Sequence, residues 1–141
     1  MRLELNKRTE LALRALEVLA SSPSRVKGAD LAGRIDSTVA FVPQVVAPLV
    51  GRGWVSSEPG PLGGYELRTP LDEVAVLELI EVMEGPTDTG TCVLKGRECA
   101  ADEPCALHEP WTRARAALMA ELTATSIDDI HGSSTTRRTR T

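Results

Sequence analysis

Three cysteines and a histidine stand close together in an otherwise thiol-free chain: Cys92-x6-Cys99-x5-Cys105-x2-His108. Thiolate sulfur is a soft donor and neutral imidazole a borderline one, so the set suits iron–sulfur clusters or zinc rather than hard cations. In a cluster a histidine can replace a thiolate and raise the potential. A Cys3His set also makes a structural zinc site, although such sites usually carry a C-x2–4-C pair, and here the shortest cysteine gap is five residues. The start of the chain, Met1-Arg2-Leu3-Glu4-Leu5-Asn6-Lys7-Arg8, lacks a secretion-signal pattern, so reduced thiols in the cytoplasm are expected. An odd number of cysteines argues against a disulfide framework. The gap from Cys105 to His108 puts both on one side if the segment is entering a helix. Gly90, Gly96 and Pro104 let the backbone wrap a metal group. Catalysis has little support: there is no Ser/His/Asp arrangement or phosphate loop, and His131 is the only other histidine.

The elements that must hold this segment are mostly helical. Hydrophobic residues make up 42% of the 141 residues and aromatics only 3%, which favours packed helices built from Leu, Val, Ile and Ala. From Lys7 to about Ala20, Ala12, Ala15, Leu16 and Leu19 share one helical face. A short helix is expected over about Gly28–Ile35, then a turn at Asp36-Ser37-Thr38. A further helix over about Val39–Arg52 turns Val42, Val45, Val46 and Leu49 inward and ends at Gly51 and Gly53. Trp54–Ser57 and Tyr65–Arg68 read as two short strands around the turn-rich Glu58-Pro59-Gly60-Pro61-Leu62-Gly63-Gly64. Helix, turn, helix and a two-stranded ribbon make a winged helix-turn-helix. The fold class is therefore mainly α with a small β-wing. Val76, Leu79, Ile80 and Met83 mark a fourth helix. Residues 87–108 have no hydrophobic period and carry every cysteine. A long helix begins near Pro110, and its stripe of Trp111, Ala114, Leu118 and Leu122 is expected to pack against a partner chain. Three segments follow: residues 1–70 as the DNA-binding region, 71–131 as the cysteine loop and dimerisation helix, and 132–141 as a disordered tail with Arg137, Arg138 and Arg140.

Formal net charge is −4, but it is unevenly spread. Residues 1–68 carry nine Lys/Arg against seven Asp/Glu, and residues 69–141 seven against thirteen. The first half can therefore face a polyanion. The second helix of the motif would enter a major groove with Thr38, Ala40, Phe41 and Gln44, Gln44 being suited to an adenine edge. Arg2, Lys7, Arg25, Lys27 and Arg52 are candidate phosphate clamps. Gly63, Gly64 and Tyr65 would bring wing backbone to the minor groove. Glu58 sits where a basic residue would suit DNA better, and Pro48 is expected to kink the recognition helix at a cost of ~3 kcal/mol. No apolar run reaches the ~18–20 residues needed to span a bilayer.

The chain resembles a known family in the stretch Ala29-Asp30-Leu31-Ala32, Val42-Pro43-Gln44-Val45-Val46, Gly53-Trp54-Val55-Ser56-Ser57 and Gly60-Pro61-Leu62-Gly63-Gly64-Tyr65. Met1-Arg2-Leu3 and Cys105-Ala106-Leu107-His108 add to it. These features are similar to the winged-helix iron–sulfur transcription regulators of the IscR and NsrR type, over roughly residues 1–130. The resemblance implies a homodimer on double-stranded operator DNA that senses redox, nitric oxide or iron–sulfur status. It implies a 2Fe–2S cluster on Cys92, Cys99, Cys105 and His108. Some members hold a 4Fe–4S cluster with a carboxylate from the first helix of the other subunit, a place that Glu10 occupies here. A zinc-stabilised DNA-binding module without sensing is the alternative. An electron carrier would have no need of the winged helix.

Overall fold

The computed structural model describes residues 3–87, 90, 92–94 and 104–131. Arg2, Gly96, Cys99 and the expected tail at 132–141 lie outside the described residues.

Helix α1 spans Lys7–Ala20. It starts where Asn6 Oδ1 accepts the Thr9 backbone N–H at 2.9 Å, a side-chain cap for a donor the helix itself leaves unpaired. Its inward face is the expected one, Ala12, Ala15, Leu16 and Leu19, with Leu11 added. Helix α2 (Gly28–Arg34) buries Leu31 and Ala32. The chain then reverses through Asp36 at φ +58°, a left-handed conformation that Asp tolerates better than most side chains.

Helix α3 covers Val42–Arg52, so it starts three residues later than the hydrophobic period suggests. Residues 39–41 form a turn in which the Phe41 N–H donates to Thr38 Oγ1 at 3.2 Å. Thr38 thus turns the chain instead of sitting on the helix. The late start places Pro43 in the first turn, where its missing N–H costs nothing. The helix runs on through Pro48 to Gly53, whose φ of +89° closes it. Val42, Val45, Val46 and Leu49 are buried as expected.

Strands β1 (Val55–Glu58) and β2 (Gly64–Leu67) pair antiparallel, Val55 opposite Leu67 and Ser57 opposite Tyr65. Each lies one residue from its expected span. Val26 adds a rung on the far side of β2, exchanging both backbone hydrogen bonds with Tyr65 at 2.8 and 2.9 Å. After a 3-10 turn at Leu71–Glu73 comes helix α4 (Val76–Glu84), begun by Glu78 Oε1 accepting the Ala75 N–H. Helix α5 spans His108–Ala124, placing Pro110 in its first turn.

The chain then returns to the body. Val76 N–H donates to the Thr125 carbonyl and Ile127 N–H to the Val74 carbonyl, both at 2.8 Å. A last helical turn at residues 127–131 is capped reciprocally: Ser126 Oγ accepts the Asp129 N–H, and Asp129 Oδ2 accepts the Ser126 N–H. Ile127 is fully buried, in one apolar cluster with α1, α3, Trp54 and α4. Packing therefore runs across residue 70. Among the described residues no helix is long and apolar enough to cross a membrane.

Candidate nucleic-acid interface and thiol pair

Burying Val42, Val45, Val46 and Leu49 leaves Ala40, Pro43, Gln44, Ala47 and Gly51 along the outer side of α3 and its leading turn. Gln44 is the one side chain among these five able to hydrogen-bond a base edge. Its small, smooth neighbours let a helix approach base edges and thymine methyl groups closely. Thr38 and Ala40 are exposed beside it in the leading turn, whereas Phe41 turns partly inward against the core. Pro43, noted from the sequence as a proline of this helix, and Ala47 were not read there as groove-facing. They are the complement of the buried set, so the helical period carried the signal.

The wing is held by an arginine. Arg25, whose side chain is 21% exposed, puts Nη2 3.4 Å from both Glu58 and Glu66 carboxylates. Its Nη1 donates to Ser56 Oγ at 3.2 Å and to the Gly64 carbonyl at 3.3 Å. Glu58, ill suited to a phosphate, is thus a counter-ion for the guanidinium that fixes β1 to β2. Gly63 and Gly64 are demanded by the wing itself. A Cβ on Gly63 would lie 2.0 Å from the Glu58 carbonyl oxygen, and one on Gly64, at φ +125°, 2.5 Å from that of Val26. Tyr65 is half-buried, its ring edge near Gly28. Lys27, Gly28, Ser57, Gly60 and Tyr65 help line an open concavity of about 290 Å³ between α2 and the wing.

The other expected clamps are partly engaged. Lys7 Nζ lies 3.0 Å from Glu10, and Arg52 lies 3.1 Å from Glu78 with its guanidinium 5.5 Å over the Trp54 ring. Lys27 is exposed. Glu10 also accepts from Arg14 at 2.6 Å. The hydrogen bond from Lys7 holds the Glu10 carboxyl below the usual carboxylate range; slight desolvation opposes this and the Arg14 charge adds to it. The small stability gained is therefore present above the ordinary carboxylate pKa and lost as pH falls through the lowered one.

Beyond α4, Cys92 is 7% exposed and Cys105 half-buried, and their Sγ atoms lie 3.4 Å apart. His108 is the first residue of α5, and its backbone N–H donates to the Cys105 carbonyl at 3.0 Å. Cys105 and His108 thus share one turn at a helix start, as their spacing suggests. Two thiolates bound to one tetrahedral metal at 2.3 Å would sit about 3.8 Å apart, so this pair fits a common ion after a shift of a few tenths of an ångström. Among the described residues no three Cys, His, Asp or Glu side chains gather as a metal site. Two contacts tie the end of α4, from which the chain leads to Cys92, to α1: Thr9 Oγ1 donates to Glu84 Oε2 at 2.6 Å, and Arg8 Nη2 to the Met83 carbonyl at 2.9 Å.

A helix-turn-helix with a clamped wing is a DNA-reading head, and its wider architecture is shared. The profile of the Rrf2 family of iron-dependent transcriptional regulators matches residues 5–132. The chain belongs to the Rrf2 family. It is 30% identical over 122 residues to a helix-turn-helix-type transcriptional regulator of Aquifex aeolicus, covering 84% of this chain and 85% of that one. It is 29% identical over 113 residues to the regulator IscR of Photorhabdus laumondii, covering 79% and 68% respectively. Among solved structures, CymR, the global cysteine regulator of Bacillus subtilis, superimposes with a TM-score of 0.73 at 26% identity, over 94% of this chain and 98% of that one. This Rrf2 chain is a winged-helix, DNA-binding regulator of transcription, and these relatives are regulators rather than enzymes.

Proposed function

We propose that this regulator binds operator DNA as a homodimer under the control of an iron–sulfur cluster, most simply 2Fe–2S, held by Cys92, Cys99, Cys105 and His108. The observation that carries the proposal is the approach of Cys92 and Cys105, brought to 3.4 Å from opposite ends of a thirteen-residue separation. Such a group, when bound, supplies reversible electron transfer and reactivity toward nitric oxide. The protein's part is positional. Cys92 follows the end of α4, which Thr9 and Arg8 fasten to α1, and Cys105 precedes α5 by three residues. Gripping both sulfurs fixes α5 relative to the reading head. If α5 is the dimer helix, that sets the distance between two heads on one duplex, to which half-site binding is sensitive. Residues 1–70 act as the reading head in this scheme and residues 71–131 as the sensing and pairing part.

On the DNA side, Thr38, Ala40 and Gln44 face the major groove and Arg2, Lys7, Lys27 and Arg52 reach phosphates, Lys7 and Arg52 by exchanging their carboxylate partners. Glu10 of the partner subunit as a fourth ligand to a 4Fe–4S group would likewise have to leave Lys7 and Arg14.

Anaerobic purification followed by absorption spectra, iron and sulfide counts, and gel shifts before and after chelation tests the proposal. The expected result is a brown protein with equal iron and sulfide and a several-fold change in operator affinity on stripping. Two irons per chain mean 2Fe–2S, and four mean 4Fe–4S. Colourless, iron-free protein, or unchanged operator affinity on stripping, would overturn it; bound zinc would identify a structural site instead.

A further inference from the structure

We infer that Cys92 and Cys105 are a redox modification site, joining as a reversible disulfide when the metal-free chain meets a peroxide. This goes beyond the cluster proposal and does not depend on it, because it concerns the same sulfurs with no metal between them. The Sγ atoms are already in contact at 3.4 Å. A disulfide holds its sulfurs about 2.05 Å apart, so the pair must close by roughly 1.4 Å, within the reach of side-chain rotation and a small loop adjustment. The two sulfurs are unequally placed, which divides the labour. Cys105 is partly open to solvent and can meet the oxidant, whereas Cys92 is 7% exposed and lies behind it as the resolving thiol.

The chemistry closes with hydrogen peroxide as oxidant. Deprotonated Cys105 sulfur attacks one peroxide oxygen; the S–O bond forms, the O–O bond breaks, and the departing hydroxide takes up a proton as water. The Cys92 sulfur then attacks the Cys105 sulfur; the S–S bond forms, the S–O bond breaks, and hydroxide leaves as water with the Cys92 proton. Two thiols lose two electrons, and one peroxide becomes two waters. An external dithiol reverses the step by exchange.

The bond would close a ring of fourteen residues from Cys92 to Cys105, stapling the segment after α4 to the residue three before α5. Neither sulfur could then ligate a metal, so oxidation and metal loading exclude each other.

The test uses the full chain, stripped by a chelator, reduced, desalted and treated with hydrogen peroxide. Remaining thiols are alkylated, and the products are read by intact mass and peptide mapping without reduction. The expected result is an intramolecular Cys92–Cys105 cross-link, loss of two hydrogen atoms in mass, alkylation at Cys99, and full reversal by dithiothreitol. Cys99→Ser should cross-link like the wild type, while Cys92→Ser and Cys105→Ser should not. A bond to Cys99, bonds only between chains, or three alkylated thiols after peroxide would overturn the inference. A colourless chain that cross-links loses the cluster proposal and keeps this one. A brown chain that never cross-links after stripping does the reverse.

Discussion

Gly63 has no room for a methyl group: the nearest atoms to a Cβ there are the backbone carbonyl oxygens of Glu58 and Pro59, at 2.0 and 2.6 Å. Backbone cannot rotate aside as a flexible side chain can, so Gly63→Ala must push the wing turn open. We expect it to cost about 1–3 kcal/mol, chiefly within the wing, and to weaken operator binding about tenfold while helical circular dichroism is retained. Unchanged affinity in a fluorescence-anisotropy titration would show that the wing tip does not contribute to binding. Sequence reading singled out Gly63 and Gly64 for a different reason, approach to a groove. The clash with Glu58 was invisible there because it arises only once the turn is folded. Arg25 shows the same limit. Counting charges treats each cation as available, but Arg25 meets Glu58 and Glu66 through tertiary structure, more than thirty residues away along the chain.

Helix α3 carries a second proline, Pro48, six residues beyond Val42, and the helix nevertheless continues to Arg52. Pro48 has no N–H to give the Gln44 carbonyl, so one rung of the ladder is missing. Burial of Val45, Val46 and Leu49 around it keeps the helix on the core. Tertiary packing thus outweighs a local penalty of ~3 kcal/mol. Pro48→Ala restores the rung and should stabilise the fold by about 1–3 kcal/mol. A rise in urea midpoint with an unchanged m-value is the expected signature, and a fall would show that the ring fills space alanine cannot. The inward faces of α1, α3 and α4 were legible because each repeats its apolar residues with helical spacing. The start of α3 was not, since Val39 continues the apolar pattern while Thr38 bonds the Phe41 N–H and diverts the chain.

At the scale of the whole molecule, one long helix is short of partners among the described residues. Helix α5 contains no buried residue; Trp111 is 37% and Leu118 44% exposed, while Leu122 nearer its end packs partly on the core. Apolar side chains in a stripe gain free energy only if another surface covers them. Leu118→Asp should therefore turn a dimer into a folded monomer, read as a halved mass by light scattering with unaltered circular dichroism. Retention of the dimer would place the interface elsewhere. The stripe itself could be read from spacing, but the return of the chain after it could not. A buried Ile127 looks from sequence like one more apolar residue trailing a helix. The Ser126–Asp129 capping spacing was the available sign that a new turn begins. That return has a mechanical meaning. Because Thr125 and Ile127 clasp the backbone on either side of Ala75, the far end of α5 is a fulcrum rather than a loose tail. Displacement at its cysteine end would then swing the helix like a boom about that hinge, greatest near Cys105 and dying away along α5 toward Thr125.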